Sequence, residues 1–358
     1  MARSGRKGSG TRMRLALLFL STFGIAAAQT PAQTAAGNSE PIFRADVRLV
    51  RILATVKDQT GALVGSLGKS DFAVRDNGVA QQISVFERQT DQPLSVAVLI
   101  DNSGSTAKDL KFETDSVTRF LRVLLKEGNP QDAVALYSFN WEIVKQNGFT
   151  RSIPAVERSL RALRGEAGTS LYDAILLASR DIEDRPGRKV LVIVTDGGDT
   201  TSRSDFQRAT EAAQLADAII YPVLVVPITN GAGRNVGGEN ALTTLAERTG
   251  GRVFAPSLGA ALDQAFDDII HDLRTQYLLG FYPKDVPPAK DRFHTLQISL
   301  TSPRLQVKAR NGYYGEAEPA AAGRADPGPD SDSVRKPRKP ALPASTPQPA
   351  RTPQPVRQ

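Results

Sequence analysis

The 358-residue chain has no cysteine, two histidines and one tryptophan. Without cysteine there is no disulfide scaffold, no thiolate nucleophile, no Cys-ligated zinc and no iron–sulfur cluster. His271 and His294 are too few for a three-histidine metal site. Long apolar runs are also scarce. The run Leu15 to Ile25 falls short of the ~20 residues that a helix needs to cross a bilayer, and no later stretch is long and apolar enough. Any chemistry therefore rests on oxygen ligands.

A large charge of one sign is missing as well, once the charges are located. The net +7 divides into +5 over residues 1–28 (Arg3, Arg6, Lys7, Arg12 and Arg14) and +2 over residues 316–358, which leaves residues 29–315 neutral. A neutral body has no electrostatic footprint for a phosphate backbone, so no nucleic-acid partner is expected.

The basic leader, the apolar run and Ala26-Ala27-Ala28 read together as a secretory signal peptide over 1–28, cleaved near Ala28. The mature chain is expected to be secreted or periplasmic, with no transmembrane segment. Residues 29–41 read as a linker. Residues 316–358 hold ten of the 23 prolines with few large apolar side chains, the composition of a disordered Pro/Ala-rich tail.

Between the ends the rhythm changes twice. Over 42–90 it is strand-like: Val50, Ile52, Ala54 and Val56 alternate, and two strand-like runs flank Asn77-Gly78, a pair suited to the positive φ of a type I′ hairpin turn. Over 91–274 strands and helices alternate. Strands are expected at 94–100, 133–139, 190–195, 219–226 and, briefly, 252–254, with helices at 108–126, 153–163, 170–183, 205–216, 240–248 and 258–273. The nearly continuous Val/Leu/Ile of the runs at 94 and 190 indicates strands covered by helices on both faces, a doubly wound, Rossmann-like α/β domain. Over 275–315 the strand rhythm returns. Since a few strands are marginal alone, these runs are expected to complete the sheet begun by 42–90, which makes the α/β domain an insertion in a small β domain.

Loops at the carboxyl ends of the strands form the crevice of such a sheet. Three polar clusters fall there: Asp101-Asn102-Ser103-Gly104-Ser105, Gly168-Thr169-Ser170 and Thr195-Asp196-Gly197-Gly198-Asp199. Carboxylates and hydroxyls without imidazole or thiol suit a hard cation, Mg²⁺ or Mn²⁺ rather than zinc or copper. Taken singly these residues have plainer roles. Asp101 and Ser103 suit a cap of the helix that follows, Thr169 or Ser170 a cap of the helix from Leu171, and Asp196 a turn. Asp199 is expected to face solvent, and Trp141 to pack on the sheet.

The pattern of Asp101, Ser103 and Ser105 (D-x-S-x-S), Thr169 and Asp196, in this order, resembles the metal-ion-dependent adhesion site of von Willebrand factor A domains. The flanks are similar to the exported von Willebrand factor A-related proteins typical of Acidobacteria, through Phe43-Arg44-Ala45-Asp46-Val47, Asp71-Phe72-Ala73-Val74, the run Gln276 to Pro283 and Arg310-Asn311-Gly312-Tyr313-Tyr314. The resemblance implies that Ser103, Ser105 and Thr169 ligate Mg²⁺ (Mn²⁺ or Ca²⁺ in its place) through hydroxyls while Asp101 and Asp196 act mostly through water. An Asp or Glu carboxylate of a protein partner then completes the shell, a contact that in this family is often coupled to movement of the last helix.

Two other readings compete with this non-enzymatic, adhesion-type one. A haloacid-dehalogenase-like phosphatase also carries an Asp after its first strand, but it needs a second Asp two residues later as general acid, and Ser103 occupies that place. A structural envelope protein with a vestigial site is the other. The sequence carries no signal of oligomeric state.

Overall fold

A computed structural model describes residues 49–88, 92–106, 109–225, 235–287, 289 and 291–315. The leader at 1–28, the linker at 29–41, the motif at 43–47 and the tail at 316–358 lie outside the described residues. Among the described residues no helix is long and apolar enough to cross a membrane.

The first flank forms β1 (Val50–Lys57), β2 (Phe72–Asp76), β3 (Val79–Gln81) and β4 (Ile83–Arg88). The middle of the chain forms β5 (Leu94–Asp101), α1 (Leu110–Glu127), β6 (Ala133–Phe139), β7 (Ile143–Thr150), α2 (Ile153–Ala162) and α3 (Leu171–Glu183). It continues through β8 (Arg188–Thr195), α4 (Phe206–Leu215), β9 (Ala218–Leu224), α5 (Val236–Thr249) and α6 (Ala260–Thr275). The second flank adds β10 (Tyr277–Phe281), β11 (Phe293–Leu300), β12 (Gln306–Lys308) and β13 (Gly312–Tyr314).

The central sheet has the order β7-β6-β5-β8-β9, parallel except for the β7 edge. Every residue of β5, β6, β8 and β9 is buried, as a sheet covered on both faces requires. Val96, Val98 and Ile100 of β5 pack with α1, α2 and α6 on one face, while Ala97 and Leu99 pack with α3, α4 and α5 on the other. This is the doubly wound α/β domain. β7 was not anticipated: its side chains are half-buried or exposed, so it lacks the apolar signature of its neighbours. The strand expected at 252–254 reduces to a single bridge between Val223 and Phe254.

The flanks form two four-stranded sheets, β12-β1-β10-β4 and β13-β11-β2-β3, rather than the single small sheet expected. They share one core of Val50, Ile52, Ala54, Phe72, Val74, Tyr277, Leu279, Phe281 and Leu296 among others, and so make a β-sandwich into which the α/β domain is inserted. The alternation of each run identifies it as a half-buried strand but carries no information about its partner. The Asn77-Gly78 turn is as expected: with φ of 47° and 82° it joins β2 to β3, Asp76 facing Val79.

The sandwich is tied to the α/β domain by polar contacts. Arg310 donates to Asp217 Oδ1 and to the Arg51 carbonyl, both at 2.6 Å, and Gln276 Nε2 donates to the Tyr221 hydroxyl at 3.2 Å.

β10 lies between β1 and β4, so its buried Leu279 binds the two flanks together. Leu279→Ala is expected to lower stability by about 2–5 kcal/mol, measured by denaturant unfolding.

Candidate metal centre

The three polar clusters sit at the carboxyl edge of the central sheet and are hydrogen-bonded to one another. Asp101, the last residue of β5, is 0% exposed. Its Oδ1 accepts from the Ser103 backbone N–H at 2.9 Å, and its Oδ2 accepts from Thr195 Oγ1 at 2.6 Å. Thr195 ends β8, so this bond closes the gap between the two central strands beside Asp196. The Ser103 and Ser105 hydroxyls lie 3.0 Å apart. Thr106 Oγ1 bonds to the carbonyls of Asp101 and Ser103 and fixes the turn.

The loop that carries Thr169 joins both other loops through its backbone. The Glu166 N–H donates to the Asn102 carbonyl at 2.9 Å, and the Thr200 and Thr201 N–H groups donate to the Thr169 carbonyl at 2.8 and 3.1 Å. Gly168 makes the turn possible: its φ is +83°, and a Cβ there would meet Trp141 Cβ at 2.9 Å. Thus Asp101, Ser103 and Ser105 are linked directly, and Thr169 and Asp196 reach the cluster through their loops. Ser103 and Thr169 are buried, Asp196 is half-buried and Ser105 is exposed, so the cluster opens to solvent on one side.

Asp196 lies in a bend after β8, but the capping roles do not describe Asp101, Ser103 or Ser170. Asp101 bonds within its own turn rather than to α1, and neither Ser103 nor Ser170 caps a helix with its side chain. The N-terminus of α3 is capped from another loop, by Asp199 Oδ1 on the Tyr172 N–H at 3.3 Å and by Ser202 Oγ on the Asp173 N–H at 3.1 Å. Asp199, expected in solvent, is therefore half-buried and tied to α3. Trp141, expected to pack on the sheet, is 59% exposed beside the Thr169 loop, and its Nε1 donates to Glu166 Oε2 at 3.2 Å. His271 is exposed. His294 bonds through Nδ1 to the buried Asp76 at 3.0 Å, far from these loops in the fold.

Acidic groups are concentrated at the cluster. Burial raises the Asp101 carboxyl from its ordinary 3.8 to about 6; hydrogen bonds from Thr195 and Ser103 oppose the rise and the Asp196 charge adds to it. Glu113 of α1, 0% exposed, was not singled out from the sequence. Neither of its carboxyl oxygens has a hydrogen-bond partner, and burial, with the charges of Asp101, Asp109 and Asp196, pushes it from 4.5 up to about 8. Among the described residues no three His, Asp or Glu side chains cluster closely enough to hold a metal by themselves. An ion held here would need hydroxyl donors as well, and the chemistry of Ser103, Ser105 and Thr169 beside these acidic groups fits a hard, oxygen-preferring cation.

Comparison with known proteins agrees with this architecture. Residues 96–198 match the family model of the von Willebrand factor type A domain. The matched stretch runs from β5 to the loop after β8 and holds Asp101, Ser103, Ser105, Thr169 and Asp196. Similar solved structures include the von Willebrand factor domain of the type V pili tip protein Mfa5 from Porphyromonas gingivalis, 16% identical over 50% of this chain and 94% of that one (TM-score 0.41). An aerotolerance-related membrane protein from Bacteroides fragilis is 17% identical over 50% and 98% (TM-score 0.40). The PilB minor pilin from Streptococcus sanguinis is 15% identical over 52% and 62% (TM-score 0.41). A comparison with curated proteins found no match.

Both raised carboxyls bind a proton more tightly in the folded than in the unfolded chain. Their contribution to stability is therefore complete below the ordinary values, 3.8 and 4.5, and is lost as pH rises to about 6 for Asp101 and about 8 for Glu113. In chelator, the free energy of unfolding is expected to fall across this window. Glu113→Gln is expected to flatten the upper part of the slope, as read from urea titrations at a series of pH values.

Proposed function

We propose that this is an exported, non-enzymatic binding protein whose von Willebrand factor A domain uses a divalent cation of the Mg²⁺ type to hold an Asp or Glu carboxylate of a protein partner. The observation that carries this reading is the combination of pre-tied hydroxyl loops with the buried carboxyls of Asp101 and Glu113, the latter without a hydrogen-bond partner, near one open edge of the sheet. Ser103, Ser105 and Thr169 would hold the ion, with Asp101 and Asp196 behind them. Mn²⁺ or Ca²⁺ would occupy the same donors. Hydroxyl ligands are neutral, so the bound ion supplies an uncancelled positive charge that attracts an acidic group.

The chain's own residues prepare this contact. Thr195 and the Ser103 N–H hold the Asp101 carboxylate in place, so little rearrangement remains when an ion arrives. Trp141 and Glu166 stand beside the Thr169 loop, where an apolar and a charged contact with a partner are both available. The Asp101 engagement also disfavours a phosphatase: each carboxyl oxygen already accepts a hydrogen bond and the side chain is fully buried, a poor state for a nucleophile.

An ion that binds only the folded chain stabilises it by about 2.7 kcal/mol at a hundredfold excess over its Kd. Mg²⁺ or Mn²⁺ is expected to raise the melting temperature of the full chain relative to chelator, and Thr169→Ala to remove most of the rise while leaving the backbone bonds of its loop in place. Capture of envelope proteins by the immobilised chain is expected to need the ion as well. Identical melting of the wild type with ion and with chelator would overturn the metal reading, and metal-dependent hydrolysis of a phosphate ester abolished by Asp101→Asn would overturn the non-enzymatic one.

A further inference from the structure

Helix α1 packs on the sheet with an apolar stripe. Leu110, Val117, Phe120, Leu121 and Leu124 recur at helical spacing and all are buried. Glu113 falls on that same stripe, three residues after Leu110 and four before Val117, where packing alone calls for a Leu or Val. It is fully buried, and both carboxyl oxygens lack a hydrogen-bond partner. A buried carboxyl without partners is costly in either protonation state, because charged it lacks compensation and neutral it leaves its hydroxyl unsatisfied. The charges that act on it are Asp101 at the end of β5, Asp109 before α1 and Asp196 after β8. Two of these are residues placed at the candidate metal centre, and all three are of the sign that only a cation relieves.

We infer that Glu113 is a working part of the metal centre: a third carboxylate, supplied by the first turn of α1, that acts on the ion through water and positions the water on that side. This rests on the metal reading above. Direct ligation is not implied, since among the described residues no three acidic side chains are near enough to share an ion. A carboxylate behind a bound water orients that water and adds charge without using a ligand position, so the open edge stays available to a partner. The cost of Glu113 in the metal-free chain is then offset when the ion is present.

The test is calorimetric titration of the full chain with MgCl₂ and with MnCl₂, alongside melting in chelator. Partners behind a metal site typically contribute about 10–100-fold to affinity. Glu113→Gln, which keeps the shape and removes the charge, is expected to weaken binding of both ions by that factor while melting in chelator no lower than the wild type. Wild-type affinity in Glu113→Gln would overturn the inference and leave the metal reading standing. Loss of affinity together with loss of metal-free stability would mark Glu113 as a packing residue and overturn it too. Should the wild type bind neither ion, both the metal reading and the inference fall. If Glu113→Gln does not fold, Glu113→Met, which needs no hydrogen-bond partner, is read by the same two measurements.

Discussion

The hydrogen bond from Thr195 to Asp101 is the interaction on which the site depends. It spans the ends of the neighbouring strands β5 and β8, between two fully buried residues, and its acceptor is a carboxylate whose other oxygen organises the Ser103 turn. Without it, the end of β5 would carry a buried charge with one less partner, and the Asp196 loop would lose its fixed point beside Asp101. The Glu166 and Thr169 backbone then fastens the remaining loop to both. The arrangement is a set of neutral hydroxyls held beside a concentration of acid, where burial raises the carboxyls of Asp101 and Glu113.

The fold was largely legible because its parts announce themselves locally. The uniform Val/Leu/Ile of β5 and β8 signals a sheet covered on both faces, and Asn77-Gly78 forms the turn its backbone preferences favour. What escaped is either non-local or unpatterned. β7 is a half-exposed edge without alternation, and the split of the flanks into two sheets depends on pairings between β1 and β10 or β2 and β11, residues more than two hundred positions apart.

The site divides in the same way. Asp101, Ser103, Ser105, Thr169 and Asp196 stand out in the sequence as candidates because a doubly wound sheet gathers its binding crevice at its strand ends. Glu113 lies on a helix, away from the strand-end loops. Its signal was available: a carboxyl on the line through Leu110, Val117 and Leu124 violates the pattern that the rest of α1 obeys. Asp199 and Trp141 were misplaced for the opposite reason, since turn chemistry and average burial say nothing about a neighbouring loop. Asp199 is drawn in by the α3 N-terminus, and Trp141 is left exposed beside the Thr169 loop.

The point of insertion has a thermodynamic consequence. β4 and β10, from which the α/β domain departs and to which it returns, are neighbours in one ladder, with Arg88 opposite Tyr277. So long as that ladder holds, the whole domain between them is a closed loop, and an unfolded loop pinned at both ends has fewer conformations than a free chain. The sandwich therefore acts as a clasp. It stabilises the domain it carries by impoverishing the alternative, without contributing a single side chain to the site.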